Sequence, residues 1–234
     1  MKNLSLILLF ITSPLFSQEF STTFKFKDAI GNQDSIIVGY SPLATDSIDI
    51  SFDEKNLYEV TIDRILEEYR KYNCPDVVIS GGEPTMYASE LTILCQELKK
   101  INNDMVITVE TNGTYYGEFV KNIDLLSISP KLKTSVPHET EYEKMHEKNR
   151  INIEVLRKFR ALKEKGKIDV QWKFVFTSEN DINEIKELQN AIGFKNRDVY
   201  LMPEGITIED LNKNRMKTIE ACKYNQFNYT DRIH

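Results

Sequence analysis

From residue 53 onward, the apolar residues alternate between two spacings along the chain. Segments in which they recur at i, i+3, i+4 and i+7 predict amphipathic helices, and short runs of branched or alternating apolar residues predict strands. Leu91, Leu94, Cys95 and Leu98 show the helical spacing most completely. The predicted strands cover residues 76–80, 105–110, 124–129, 168–176 and 198–202, and the predicted helices cover 60–72, a segment around 91–98, 116–122, 155–166, 182–191 and 207–222.

This order of elements predicts the fold class. Strands that alternate with helices favour a parallel sheet, because each parallel pair needs a crossover that covers one face of the sheet. Ligands of such sheets bind beyond the carboxyl ends of the strands. Four of the five predicted strand ends carry glycine, proline and charged residues there: Ser80-Gly-Gly-Glu-Pro, Glu110-Thr-Asn-Gly, Ser129-Pro-Lys and Met202-Pro-Glu-Gly. We therefore expect an α/β fold with one binding face at these ends.

Residues 1–52 have a different character. Lys2, the apolar run over residues 4–11 and the small residue Ser17 are typical of a secretory signal peptide, and the run is too short to span a bilayer. A buried strand or helix is the alternative for this segment. Residues 18–52 are rich in Ser, Thr and Asp and predict strands around 20–27 and 35–40. The predicted domains are a signal peptide over 1–17, a β-type segment of foreign character over 18–52, and an α/β domain over 53–234.

Composition narrows the classes of function. The formal charge is -6 and the pI is about 5.3, which argues against a nucleic-acid scaffold, since phosphate binding needs a basic face. The three cysteines are too few and too scattered for a disulfide framework, and the three histidines lack metal-ligand spacing. No P-loop and no HExxH motif is present. We assign no metal ligand and no catalytic residue from the pattern.

The four strand ends suggest the chemistry of a ligand. Gly81 and Gly82 let backbone groups approach a ligand without an intervening Cβ, and Glu83 places a carboxylate next to them. Lys131 follows Pro130, which stiffens its loop, and its cation suits a carboxylate or a phosphate. Ser129 adds a hydroxyl. Together these groups predict a zwitterionic ligand.

The same motifs carry a family resemblance. Residues 53–234 resemble the radical S-adenosylmethionine enzymes and, among them, the 7-carboxy-7-deazaguanine synthases of the queuosine pathway. GGEP alone is typical of the superfamily, whereas its combination with ETNGT and SPK is specific to the synthases. The motifs that carry the resemblance are Ser80-Gly-Gly-Glu-Pro, Val109-Glu-Thr-Asn-Gly-Thr, Leu126-Ser-Ile-Ser-Pro-Lys, Lys173-Phe-Val and Leu201-Met-Pro-Glu-Gly. The fold that the resemblance implies is a partial (β/α) barrel, truncated at both ends.

The resemblance implies a role for each matching position. Gly81, Gly82 and Glu83 would hold the methionine ammonium of S-adenosylmethionine, and Ser80 would touch a pterin substrate. A second cofactor contact would come from Ser129, Pro130 and Lys131, and a third, beside the adenosine, from Leu201, Met202, Pro203 and Glu204. The implied reaction converts 6-carboxy-5,6,7,8-tetrahydropterin to 7-carboxy-7-deazaguanine with loss of ammonia. Members also use a [4Fe–4S] cluster and Mg²⁺, and they are usually cytoplasmic homodimers that bind neither nucleic acid nor membranes.

The cluster motif is one place where the sequence departs from the family. Members ligate the cluster through Cys-x-x-x-Cys-x-x-Cys, and the matching residues 45–52 contain no cysteine. Three functions therefore stay open. The chain is a synthase by descent, a non-catalytic or chimeric protein that still binds S-adenosylmethionine, or an exported β-rich protein whose identity lies in residues 1–52.

Overall fold

The computed structural model describes most of the chain beyond residue 61. It covers residues 62–70, 76–80 and 83–231, apart from the side chains of Arg64 and Glu68, together with the backbone of four strands before residue 49. The chain forms two compact units. The first comprises Met1–Thr111 and Tyr115–Leu126, and the second comprises Asn112–Thr114 and Ser127–His234.

The first unit begins with four strands: β1 (Leu8–Thr12), β2 (Phe20–Lys27), β3 (Gln33–Tyr40) and β4 (Ser47–Ile48). β2 and β3 pair in antiparallel fashion, as do β1 and β4. The strands predicted around 20–27 and 35–40 are thus present. The signal peptide predicted over residues 1–17 and the domain boundaries at residues 17 and 52 stay predictions.

The first unit continues with helix α1 (Ile62–Tyr69), strand β5 (Asp76–Ser80), helix α2 (Ala88–Ile101) and strand β6 (Val106–Thr111), with short 3₁₀ helices at Pro84–Tyr87 and Glu118–Lys121. β5 pairs in parallel with β6, and Ile79 lies opposite Val109. β1 pairs in antiparallel fashion with β5. The apolar core of this unit includes Ile79, Leu91, Leu94, Leu98, Ile107, Val109 and Phe119, all fully buried.

The predictions for the first unit match the structure best at the strands. The strand predicted over residues 76–80 has the observed bounds, because Val77, Val78 and Ile79 are followed by two glycines. α1 ends at Tyr69, before the predicted end at residue 72, and residues 60 and 61 lie outside the described residues. The segment predicted as a helix over 116–122 is instead a single 3₁₀ turn at Glu118–Lys121.

Strand β7 (Leu125–Ile128) leads from the first unit into the second. The second unit then holds α3 (Glu143–Asn149), α4 (Ile153–Glu164), β8 (Asp169–Phe176), α5 (Glu179–Ile192), β9 (Val199–Pro203), α6 (Ile208–Asn225) and β10 (Asn228–Tyr229). β9 pairs in parallel with both β8 and β10. The apolar core of the second unit includes Phe159, Val170, Trp172, Phe174, Ile185, Val199 and Leu201, which are fully buried.

The expected α/β fold with parallel strands between helices is confirmed. The periodicity nevertheless missed α3, since Met145 is its only large apolar residue and is exposed. It also placed the start of α5 at residue 182 instead of Glu179. That first turn is held by polar groups, because the buried Asp181 carboxylate accepts the N–H of Ser178 at 2.9 Å. Hydrophobic spacing carries no information about such a cap.

Within the residues that the structure describes, no helix has both the length and the apolar character that a membrane crossing requires.

Two glycines with positive φ allow a test of the packing of the second unit. Gly113 has φ +79, and a Cβ there would lie 2.5 Å from Leu156 Cδ2 and 2.7 Å from Ile128 Cγ2. Gly166 has φ +61, and a Cβ there would meet nothing within 4 Å. We expect Gly166→Ala to lower the free energy of unfolding by about 1 kcal/mol through backbone strain alone, and Gly113→Ala by about 3 kcal/mol through strain and overpacking. Urea unfolding of both variants measures the difference, and equal losses would contradict the packing at Gly113.

Candidate functional site

Strands β5 and β6 bring two polar side chains together at their carboxyl ends. Val77 and Ile79 of β5 point into the core. Because successive residues of a strand face opposite sides, Ser80 lies on the other face, where it is half-buried. Glu110 is likewise half-buried, between the buried Val109 and Thr111. The Ser80 hydroxyl donates to Glu110 Oε2 at 3.2 Å. The predicted substrate contact Ser80 therefore has a carboxylate as its neighbour.

Glu83 begins the 3₁₀ helix that follows β5. Its side chain caps that helix, because Oε1 accepts the backbone N–H of Thr85 at 3.1 Å. The Thr85 hydroxyl also donates to Oε1, and the Thr111 hydroxyl donates to the same oxygen at 2.6 Å. Pro84 occupies the first helical position, where the missing N–H costs no hydrogen bond. The Glu83 carboxylate is thus held in one orientation by two residues that are distant from each other in sequence.

The two threonines that hold Glu83 are buried. Thr85 is 1% exposed and Thr111 is 5% exposed, and their hydroxyl oxygens lie 3.2 Å apart. Neither was assigned to the site from the sequence, although both stand inside the motifs that define it. Gly81 and Gly82, the predicted backbone contacts, lie outside the described residues. In the first unit, the structure therefore brings together Ser80 with Glu110, and Glu83 with Thr85 and Thr111.

In the second unit, the predicted residues Ser129, Pro130 and Lys131 begin a loop that we call the Lys131 loop, residues 129–135. Pro130 is buried, Ser129 is half-buried and the Lys131 side chain is exposed. The backbone of this loop is held at two points: Arg150 Nη1 donates to the Lys131 carbonyl at 2.9 Å, and the Lys133 N–H donates to Glu184 Oε2 at 2.8 Å.

A buried ion pair connects these two anchors of the Lys131 loop. Arg150 Nη1 lies 2.6 Å from Glu184 Oε1, and the side chains are only 8% and 12% exposed. Burial disfavours the guanidinium charge, but hydrogen bonds to Glu147 and Glu184 outweigh it and raise the pKa of Arg150. A third anchor is the buried Asp181, whose Oδ1 accepts the Thr134 hydroxyl at 3.0 Å. The sequence pattern does not indicate these contacts, because Arg150 directly follows α3, which the pattern missed, and Asp181 and Glu184 lie in α5.

The remaining predicted contacts, Leu201 to Glu204, end strand β9. Leu201 and Pro203 are buried, Met202 is half-buried and Glu204 is exposed. The Glu204 carbonyl accepts Asn214 Nδ2 at 2.8 Å, which ties the strand end to α6. Gly205 follows, and a Cβ there would lie 2.8 Å from the Leu211 backbone nitrogen. Close packing against α6 therefore explains this glycine without a ligand.

The two cysteines that the structure describes do not fit the iron–sulfur cluster that the resemblance implies. A cluster needs thiolates that share one site, and low thiol pKa values favour that state. Cys95 is buried in α2, and burial raises its pKa to about 12. Cys222 is buried in α6, where burial raises its pKa to about 11 and Sγ donates to the Asn228 carbonyl. Cys74 lies outside the described residues. The described part of the chain holds no group of three His, Cys, Asp or Glu side chains suited to a metal ion.

Comparisons with known proteins give the family. The sequence profile of the Radical SAM superfamily matches residues 44–192. The 7-carboxy-7-deazaguanine synthase of Halobacterium salinarum is 33% identical over 189 residues, which cover 75% of this chain and 70% of that protein. A protein of the same name from Rhodopirellula baltica is 31% identical over 176 residues, covering 74% of this chain and 65% of that protein. The chain thus spans about two thirds of the length of these relatives.

Among solved structures, Streptococcus suis SuiB bound to S-adenosylmethionine aligns with a TM-score of 0.48 at 17% identity. The alignment covers 76% of this chain and 43% of SuiB. SuiB bound to its precursor peptide SuiA aligns with the same TM-score and identity and covers 44% of that chain.

The ion pair under the Lys131 loop gives a prediction for stability. Replacing Arg150 with methionine leaves the Glu184 charge nearly buried without its partner, and we expect the free energy of unfolding to fall by about 3 kcal/mol. Lys223→Met, which breaks an exposed pair with Glu220 in α6, is the control and should cost less than about 0.5 kcal/mol. Chemical unfolding of the two variants provides the measurement. Similar losses in both would show that the Arg150 pair does not hold the loop.

Proposed function

The chain belongs to the radical SAM superfamily, and on that basis we propose that it binds S-adenosylmethionine with the methionine ammonium on the Glu83 carboxylate. One observation carries the proposal: the Glu83 carboxylate is fixed at the end of β5 by hydrogen bonds from Thr85 and Thr111. An ammonium group has three N–H donors, and its hydrogen bonds to a carboxylate are charge-assisted and therefore strong.

We propose a pterin as the second ligand. The relatives are named 7-carboxy-7-deazaguanine synthase, and the resemblance implies that their substrate is 6-carboxy-5,6,7,8-tetrahydropterin. Ser80 is the proposed contact, and its hydroxyl is oriented by Glu110. A pterin offers ring nitrogens and an amino group as hydrogen-bonding partners for such a hydroxyl and carboxylate. Both groups belong to the first unit, as does Glu83.

The proposal is limited to binding of the two ligands. In the family, a [4Fe–4S] cluster supplies the electron that cleaves S-adenosylmethionine. The thiols of Cys95 and Cys222 are buried and protonated, and residues 45–52 offer no cysteine in their place. Conversion of the pterin to 7-carboxy-7-deazaguanine is therefore not assigned to this chain. A non-catalytic protein that binds S-adenosylmethionine is the function that these residues support best.

Glu83→Gln tests the ammonium contact. Glutamine keeps the side-chain oxygen that caps the 3₁₀ helix but removes the charge, so we expect binding of S-adenosylmethionine to weaken by about tenfold or more. Isothermal titration calorimetry measures the dissociation constant. The control is Glu118→Gln, an exposed glutamate of the same unit that pairs with Lys121. Absence of binding to the unaltered protein, or an equal effect of both substitutions, would overturn the proposed function.

Reconstitution with iron and sulfide tests whether the chain can hold an iron–sulfur cluster. We expect anaerobic incubation with iron and sulfide to leave no stable cluster on the protein, because its described thiols are buried with raised pKa values. Iron counting and visible absorbance after desalting measure the outcome. A family member that carries the three-cysteine motif, treated in parallel, is the positive control. Four irons retained per chain would contradict the prediction and restore a radical reaction as the proposed activity.

A further inference from the structure

We infer that Thr111 is a positioning residue for S-adenosylmethionine: it orients the Glu83 carboxylate toward the methionine ammonium, with Thr85 as its partner. This inference rests on the proposed function and deepens it. It is carried by the hydrogen bonds that converge on one oxygen of Glu83, which come from the Thr85 N–H, the Thr85 hydroxyl and the Thr111 hydroxyl.

The geometry separates capping of the 3₁₀ helix from orientation of the carboxylate. The Thr85 N–H is a backbone donor of that helix, and its bond to Glu83 satisfies the cap. Thr111 lies on strand β6, 28 residues after Glu83, and is not a residue of the capped 3₁₀ helix. Its hydroxyl nevertheless reaches the same oxygen at 2.6 Å. The cap therefore does not account for the second threonine.

Burial holds the Thr111 hydroxyl in place against the Glu83 carboxylate. Thr111 is 5% exposed and follows Ile107 and Val109 on the core face of β6, so the strand itself holds its Cβ in place. A β-branched side chain has few accessible rotamers, which limits the directions that the hydroxyl can take. The Thr85 hydroxyl, 3.2 Å away, restricts it further. A carboxylate held by such groups loses little conformational freedom when a ligand binds, and this preorganisation contributes to affinity.

The register of β6 gives two neighbouring residues different tasks. Glu110 and Thr111 point to opposite faces of the strand, as successive strand residues do. Glu110 accepts the Ser80 hydroxyl on one face, and Thr111 supports Glu83 on the other. The inference accordingly predicts that loss of the Thr111 hydroxyl affects the part of the cofactor that bears the ammonium and leaves the adenosine part unaffected.

The experiment compares two ligands on Thr111→Val, which keeps the shape of the side chain and removes the hydroxyl. S-adenosylmethionine carries the ammonium, and 5′-methylthioadenosine lacks the whole amino-acid part. Calorimetry on the full chain should show S-adenosylmethionine binding about fivefold weaker, the equivalent of one hydrogen bond, with 5′-methylthioadenosine binding unchanged. Thr111→Ser, which restores the hydroxyl, should restore the affinity of the unaltered protein.

Each other outcome has a distinct meaning. Equal weakening of both ligands, no weakening of either, or a failure of Thr111→Ser to restore affinity overturns the positioning role. If Thr111→Val has no effect while Glu83→Gln weakens S-adenosylmethionine, the proposed function stands and the inference alone is wrong. If the unaltered protein does not bind S-adenosylmethionine, the proposed function is overturned and the inference with it.

Discussion

The parallel pairing of β5 with β6 is the constraint on which the candidate site depends. Ile79 lies opposite Val109, and both side chains are fully buried. Because side chains alternate along a strand, this register turns the following residues, Ser80 and Glu110, away from the core and toward each other. It turns Thr111 back toward the core, where its hydroxyl meets Glu83. A slip of one residue would exchange the faces and separate both pairs.

The two predicted cofactor loops are held by different kinds of interaction. Neutral hydroxyls and a backbone N–H hold the Glu83 carboxylate in the first unit. In the second unit, the charged groups of Arg150 and Glu184 hold the backbone of the Lys131 loop. In the first unit, the carboxylate that would meet a ligand is oriented by the buried Thr85 and Thr111. Such support is typical of binding sites that are formed before the ligand arrives.

The superfamily match and the positions of the described cysteines are two separate features of this chain. The superfamily profile covers residues 44–192, and the strand ends that bind the cofactor in the family are present. The two described thiols, however, belong to helices: Cys95 lies with Leu91, Leu94 and Leu98 on the buried side of α2, and Cys222 is buried in α6. A fold persists through the packing of its core, whereas a reaction depends on a few groups that packing does not require. In the described part of the chain, Cys95 and Cys222 are such packed groups, since both are buried.

The sequence alone predicts the α/β class and the bounds of β5, since each follows from local spacing. It also located Glu83 and Lys131 through short motifs. It did not reveal α3, whose residues lack an apolar stripe. Only the tertiary structure decided which groups support the site, because Thr111 reaches Glu83 across 28 residues and Arg150 reaches Glu184 across 34. Such contacts depend on strand register and helix packing, and no local pattern encodes them.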